Sequence, residues 1–493
     1  MSEMVMKSKI VREFLDALRL ELKSADVDDA LALTRIYGNV AWNNPVGIYQ
    51  ADDIEDLIYL KLSRIRDAVL AEGCRQKNGK ILHVLTEGYS SGGHTRVLER
   101  LVSSSVTNAT QDVVIVEMCP ATVVAKLKAA GADVKYVEGT GGAAVSELAL
   151  MMAEYDSVVL HIHPDDIVSS LAARIAHSMG TKVALYNHAD HCFTFGVRSV
   201  SVLCEISAYG RAVSRTYRQG MPWTFAGIAL DVSVQPLKSR VVKDYVLSSG
   251  PGYKFDFSED GLFSTIIERV TEESAVNIMV IGPGQLPASA SKKIISLVDQ
   301  GRLIITPPMS HELYSEHLHS CICYLDSAPV TGGSALPEAA LLGIPCAGMI
   351  NPVMGYSPVD SIRSKNVAAL VARIKSLCKR AQGTPDISSE ALLEVHCPDR
   401  VLERILSSLH GDATFEIPLT MDAEAIDIEN IHERWNQEAE IKINTRAFDY
   451  VSFMWRIRVL RLLIAHNVIG SMKSLDVLKL LASNLRTRRL RNR

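Results

Sequence analysis

Two regimes of hydrophobic spacing divide the chain. Up to about residue 79, the segments VREFLDALRLELKSAD and DDIEDLIYLKLSRIRDAVLAEG repeat apolar residues three and four apart, with charges on the opposite side. That is the signature of amphipathic helices. The stretch YGNVAWNNPVGIY between them has the polarity of a loop or cap. From Lys80 short apolar runs take over, each followed by a helical period: KILHVLTE, DVVIVEM, DVKYVE, DSVVLHIH, KVALYNH and SVLCEIS, with TRVLERLVSS, ATVVAKLKAAG, AVSELALMMAEY, DIVSSLAARIAHSMG and AYGRAVSRTYRQG between or after them. After a linker-like ALDVSVQPLKSRVVK the alternation resumes in DYVLSSG, GLFSTIIERVTEE, VNIMVIGPG, ASKKIISLVDQG, RLIIT, CICYLDS, LPEAALLGI and PCAGMI. Apolar strands alternating with helices predict parallel sheets covered on both faces. The fold class is therefore α/β, with two successive Rossmann-like doubly wound units. The predicted divisions are 1–79, a helical N-terminal extension; 80–235, the first unit; 236–385, the second; and 386–493, a C-terminal extension.

A length of 493 residues agrees with more than one core, and 22% charged against 47% hydrophobic residues excludes a disordered chain. The net charge of -4 hides an asymmetry, because the segment from Lys442 to Arg493 carries a surplus of +10 and the remainder is acidic. In that segment FDYVSFMWRIRVLRLLIAHNVIG mixes aromatic and apolar residues with Arg456, Arg458 and Arg461, and five further arginines follow between Arg486 and Arg493. Such a tail is suited to an anionic membrane surface, or to packing on the acidic stretch at 386–441 or on a partner. Nucleic acid is not expected, since the remainder is acidic and no binding module is recognisable. The opening MSEMVMKSKIVREF places charges where a signal peptide has its apolar core, and no run reaches the roughly 18 apolar residues of a spanning helix. Nine scattered cysteines then point to reduced thiols in the cytoplasm. Cys321 and Cys323, two apart on an expected strand, would share one face in a core.

Ligands of open parallel sheets bind beyond the carboxyl ends of the strands, so the loops there hold the candidate chemistry. Gly92, Gly93 and His94 follow the first strand, in a turn open to an anion or simply to tight strand–helix packing. After KVALY comes Asn187-His188-Ala189-Asp190-His191, a polar cluster fit for a general base, for a sugar hydroxyl, for part of a metal site or for a structural turn. His161 and His163 would share a strand face, and Asp165 would cap the next helix. In the second unit, Gly250 and Lys254 end the first strand, Gly282 ends the next, and Thr306 the third. A lysine beside a glycine turn neutralises a diphosphate. The richest segment is Thr331 to Pro345, where Gly332, Gly333 and Ser334 open a helix and Glu338 lies about one turn further in. Neither GxGxxG nor GxxxxGK[ST] is present, which disfavours nicotinamide and ATP.

Taken together, Gly92-Gly93, His188, EISAYGRAV, GIALD, Lys254 and the Thr331–Pro345 segment resemble the GT-B glycosyltransferases, particularly the bacterial nucleotide-sugar-dependent enzymes of glycosyltransferase family 4 and its relatives. The resemblance covers about residues 80–385. It implies an acceptor domain followed by a nucleotide-sugar domain, and hexosyl transfer in polysaccharide, lipid-linked glycan or protein glycosylation. Lys254 and the Gly332-Gly333-Ser334 turn would hold the donor diphosphate, Glu338 the ribose, Thr306 to Ser310 the base, and His188 would lie near the donor sugar. Many relatives carry a second glutamate eight positions before the ribose-side one; here that position is Val330, and Asp326 lies twelve back. Lysine, hydroxyl and helix dipole stabilise a departing diphosphate without a metal or other cofactor. The D-x-D at Asp26-Val27-Asp28 is expected on a solvated helix face. If the reaction inverts, Asp190 or a neutral His188 is the candidate base, with His191 and His94 behind them. A nucleotide-sugar epimerase or sugar phosphorylase, and a noncatalytic subunit that supports or anchors a transferase, are the competing readings.

Overall fold

A computed structural model describes residues 3–73, 77, 79–90, 93–106, 109–232, 242–351, 355–379, 386–417, 427–428 and 441–468. The first sheet has seven parallel strands, β1 Ile81–Leu85, β2 Gln111–Ile115, β3 Val134–Tyr136, β4 Ser157–His161, β5 Lys182–Tyr186, β6 Val202–Glu205 and β7 Trp223–Phe225, in the order β3-β2-β1-β4-β5-β6-β7. The second has five, β8 Tyr245–Ser249, β9 Asn277–Ile281, β10 Leu303–Thr306, β11 Tyr324–Leu325 and β12 Cys346–Ala347, in the order β10-β9-β8-β11-β12. Both are doubly wound, as the alternation of strands and helices predicts. Strand β7 is additional to the strands expected, because WTF is too short to show a period.

Four helices precede the first sheet: α1 Glu3–Ser24, α2 Val27–Asn43, α3 Asp52–Lys61 and α4 Ser63–Ala71. Residues 37–43, expected as loop, complete α2, with Tyr37, Val40 and Ala41 buried. The single helix expected after Asp52 is broken at Leu62. Asp26 and Asp28 are caps and not a bare solvated face: Asp26 accepts from Asp29 N, and Asp28 accepts from Gly142 N at 2.8 Å. The latter closes the start of a helix in the first unit.

That unit adds α5 Gly93–Val102, α6 Ala121–Ala129, α7 Gly141–Ala153, α8 Ile167–Ser178 and α9 Ala208–Tyr217. Alternation along the strands assigns the two faces. Leu82, Val84, Val158, Leu160 and Val183 pack in one cluster with Phe14, Leu18, Leu33 and Ile36 of α1 and α2. The N-terminal helices are thus a layer of the first domain's core. Ile81, Val159 and Tyr186 belong to a different cluster that continues through Ile228, Ala229 and Leu230 to Leu247 and Tyr324 of the second sheet. One apolar body therefore joins the two domains.

The second domain adds α10 Leu262–Glu273, α11 Lys292–Asp299, α12 His311–Ser320, α13 Ala335–Leu341 and α14 Val367–Lys379. Cys321 and Cys323 do not share a face. Both precede the strand, which starts at Tyr324, and Cys321 packs in the interdomain cluster while Cys323 faces the core of the second domain. The chain then returns through α15 Ser389–His396 and α16 Pro398–His410, and α16 packs on β5, β6 and β7 of the first sheet. The second domain is consequently an insertion within the first.

The last described helix, α17 Phe453–Ala465, corrects the tail reading for its described part. It packs on α1, and Trp455, Val459 and Leu463 enter the core of the first domain. Arg456 is buried, donating to Val451 O and Phe448 O, and Arg458 Nη1 lies 3.6 Å from Glu21. Phe453, Met454, Arg461 and Ile464 remain exposed. The five arginines from Arg486 to Arg493 lie outside the described residues. Among the described residues no helix is long and apolar enough to cross a membrane.

Candidate functional site

The carboxyl ends of the two sheets meet at one place: Ser207 after β6 forms a bridge with Gly355 after β12, and Tyr356 N donates to Ile206 O at 3.0 Å. The loops singled out from the sequence open from these strand ends. Gly92 lies outside the described residues; Gly93 starts α5 with no neighbour near a notional Cβ.

On the first domain, histidines dominate. His188 follows β5 and is half-buried, with Nε2 2.9 Å from His161 Nδ1. His161 Nε2 lies 3.0 Å from His83 Nδ1, and His83 Nε2 2.8 Å from Gln111 Oε1. The His94 ring stands edge-on to His188 with centroids 4.2 Å apart, and its Nε2 donates to His161 O at 3.2 Å. His94 Nδ1 is buried with no hydrogen-bond partner. Burial pushes His83 down to about 4 and His94 to about 3; burial first, then the neighbouring rings, push His161 and His188 well down too. These rings are neutral near pH 7.

Asp190 is turned elsewhere. It is buried, accepts a short hydrogen bond from the Ser207 hydroxyl, and lies where a side chain at Gly210 would overlap it. Its role is to hold the start of α9. His191 Nδ1 is 3.6 Å from Asp190. The loop's far end is fixed by Arg218, which donates to Cys192 O at 2.7 Å and pairs with the buried Glu205. Asp166, not Asp165, caps α8, accepting from Ser169 N; Asp165 instead accepts from Asn39 of α2.

On the second domain, Lys254 Nζ is 3.3 Å from Thr331 O and 3.6 Å from a notional Cβ on Gly332. Asp326 Oδ1 accepts from Gly332 N at 3.2 Å and from Ser327 N at 2.9 Å, while its Oδ2 pairs with the buried Arg363 at 2.8 Å. The glycine turn is therefore tied down from beneath. Burial lowers the Lys254 pKa, and Asp326 opposes that shift. An additional anion would favour the ammonium further.

The remaining candidates are distributed differently. Gly333 gives room to Ile228, so its glycine serves the interdomain contact. Gly282, at φ 122°, packs on Gly250, which donates its N–H to Ile281 O; Thr306 O accepts from Gly282 N. These three close the strand ends. Ser334 precedes α13 without a side-chain cap bond. Glu338 faces Arg100 of α5, with Nη2 donating to Oε1 at 2.7 Å. Sequence reasoning passed over Arg100, His83 and Gln111, which sit in an ordinary amphipathic helix and at strand positions that read as core. Among the described residues no group of three or more His, Cys, Asp or Glu converges as a metal site.

No protein-family model matches the sequence, and no curated protein does. Solved structures do resemble it. One is the lipopolysaccharide outer core galactosyltransferase WaaB in apo form, with 14% identity, 68% of this chain and 100% of that one covered, and a TM-score of 0.49. Another is Anabaena HepE in complex with UDP and glucose, with 12% identity, coverage of 68% and 100%, and a TM-score of 0.48. A third is UDP-GlcNAc 2-epimerase from Neisseria meningitidis bound to UDP-GlcNAc, with 10% identity, coverage of 67% and 99%, and a TM-score of 0.43. The strand orders show two parallel-sheet Rossmann-like domains; likeness of this degree says nothing about the reaction.

Proposed function

We propose that this protein is a glycosyltransferase that takes a hexosyl group from a nucleoside-diphosphate donor and needs no metal. The observation carrying this reading is the half-buried Lys254 ammonium directed at the Gly332 turn, which Asp326 and Arg363 hold from behind. A cation held beside a glycine turn receives a diphosphate and stabilises it as it leaves. In the first domain, the neutral His188 is the group suited to meet the reacting sugar or the acceptor hydroxyl. Asp190 is not used as base here, because Ser207 and α9 occupy it. The acceptor is a glycan, a lipid-linked sugar or a protein, and the exposed Phe453, Met454 and Ile464 beside Arg458 and Arg461 support work at the anionic inner face of a membrane. The test is a panel of nucleotide sugars with lipid-linked and protein acceptors, scored by nucleoside diphosphate release. No release with any donor would overturn the reading.

One observation favours a second reading, the noncatalytic subunit. Glu338 is engaged by Arg100, and Asp326 by Arg363, so both nearby carboxylates have partners. Donor binding without turnover, alone or with added acceptors, would select it. Conversion of the donor without any acceptor would select an epimerase instead.

A further inference from the structure

The histidine row has a direction, and one amide sets it. Gln111 Nε2 lies 3.0 Å from Leu101 O, 3.3 Å from Val102 O and 3.3 Å from Ser104 O, carbonyls at and just after the end of α5. All three are acceptors only. Turning the amide over would set its oxygen against three carbonyl oxygens, so Oε1 must face His83. A neutral imidazole has one N–H and one lone pair, and a hydrogen bond needs one of each. His83 therefore carries its proton on Nε2 and accepts at Nδ1. His161 must then donate from Nε2 and accept at Nδ1, and His188 in turn must donate from Nε2. His188 Nδ1, which has no hydrogen-bond partner among the described residues, is left as a lone pair. The low proton affinity of these rings, a consequence of burial, keeps each of them from donating at both nitrogens. The row does not conduct, because an amide oxygen does not take up a proton at neutral pH.

We infer that Gln111, His83 and His161 are positioning residues that fix His188 as the Nε2–H tautomer and present its Nδ1 as a hydrogen-bond acceptor for a substrate hydroxyl. The use of that lone pair rests on the transferase reading; the tautomer does not. The order begins about three side chains away from His188, at the start of β2. It makes a glutamine at position 111 a requirement of the site.

The test is imidazole nitrogen NMR on the full chain with ¹⁵N-histidine, with His188 assigned from the His188→Gln spectrum. The expected spectrum shows His188 with a protonated Nε2 and an unprotonated Nδ1 at pH 7. A protonated Nδ1 in the wild type would overturn the inference whatever the turnover. Gln111→Met and His83→Leu remove the ordering acceptor, so each should bring the Nδ1–H form of His188 to a comparable population. His83→Asn offers an oxygen near the former Nδ1 and should restore the wild-type form. An unchanged tautomer in both Gln111→Met and His83→Leu would remove the role given to Gln111. In turnover, Gln111→Met should lower kcat about tenfold or more with donor KM little changed, a loss that His83→Asn should largely avoid. The expected tautomers in a protein that turns over no nucleotide sugar would leave the row as inferred and would remove the transferase reading alone.

Discussion

Arg100, in the last turn of α5, donates to Glu338 of α13 at 2.7 Å while its other terminal nitrogen donates to Ala229 O at 2.9 Å. A single side chain thus ties together the first domain, the connection between domains, and the carboxylate expected at the donor ribose. Both partners are mostly shielded, with side-chain exposures of 16% and 20%. A double-mutant cycle of Arg100→Ala and Glu338→Ala, read by urea unfolding, should therefore give a coupling of about 1–2 kcal/mol. Ligand binding should separate the two. Glu338→Ala is expected to weaken nucleotide-sugar binding roughly tenfold, the worth of a hydrogen bond to a charged group, whereas Arg100→Ala, which frees the carboxylate, should leave binding equal or tighter. Equal weakening by both would place the ribose elsewhere.

Lys254→Met keeps the length of the side chain and removes its charge. Loss of a charge-assisted contact to phosphate should weaken nucleoside diphosphate binding about 10- to 100-fold. Thermal stability should hold or rise, because the half-buried ammonium loses hydration that one 3.3 Å carbonyl contact replaces only in part. Isothermal titration and thermal melts, each with and without the substitution, check the two claims; unchanged affinity would reject the diphosphate site.

If Lys254 and the Gly332 turn carry the leaving-group charge, turnover in the donor panel should survive an excess of EDTA and gain less than about twofold from added magnesium or manganese. Complete loss with EDTA, restored by a divalent ion, would reject the metal-free mechanism.

Glu55 lies in the core between α3 and α8, where burial pushes its carboxyl up to about 7 against the pull of hydrogen bonds from Ser170 and Gly196. With its folded-state pKa above the ordinary 4.5, the group's contribution is present below 4.5 and is lost as pH rises through 7. Glu55→Gln should remove that slope. Relative to the wild type, the variant is expected to gain about 3 kcal/mol between pH 4.5 and pH 8, because each pH unit separating the folded from the unfolded value is worth roughly 1.4 kcal/mol. Urea midpoints across that range measure it, and parallel curves would show that Glu55 titrates normally.

The two sides of α17 should answer differently to substitution. Trp455→Ala opens the first domain's core and should cost about 3–4 kcal/mol in urea unfolding. Phe453→Ser with Met454→Ser touches only exposed positions, so stability should move by less than about 0.5 kcal/mol. The same double substitution should reduce flotation with vesicles rich in phosphatidylserine or phosphatidylglycerol. Flotation equal to that of the wild type would remove this face from membrane contact.

What could be seen in the sequence follows from how far each signal reaches. Strands such as Ile81–Leu85 and Asn277–Ile281 announce themselves because four of the five residues in each are apolar and most are buried. The nearness of Lys254 to Gly332 could be expected because each follows a strand of the second sheet, and their contact is local to that sheet. Asp190 was misread because its partner, Ser207, comes from a different strand end. Gln111 and His83 were hidden for the same reason: their meaning depends on the last turn of α5 and on His161, neither of which adjoins both of them in sequence. The loop reading of residues 37–43 failed where tertiary burial of Tyr37 and Val40 outweighed the polarity of the Asn residues.

The insertion of the second domain into the first has a consequence for how the protein is made. The helix that completes the first core, with Trp455, Val459 and Leu463, is translated only after every residue of the second sheet has left the ribosome. Until then α1 lacks the helix that packs against it. The strands of the second sheet all lie between Tyr245 and Ala347 and are complete in sequence well before that helix. Synthesis therefore runs against the order of the chain: the domain begun first is the one finished last.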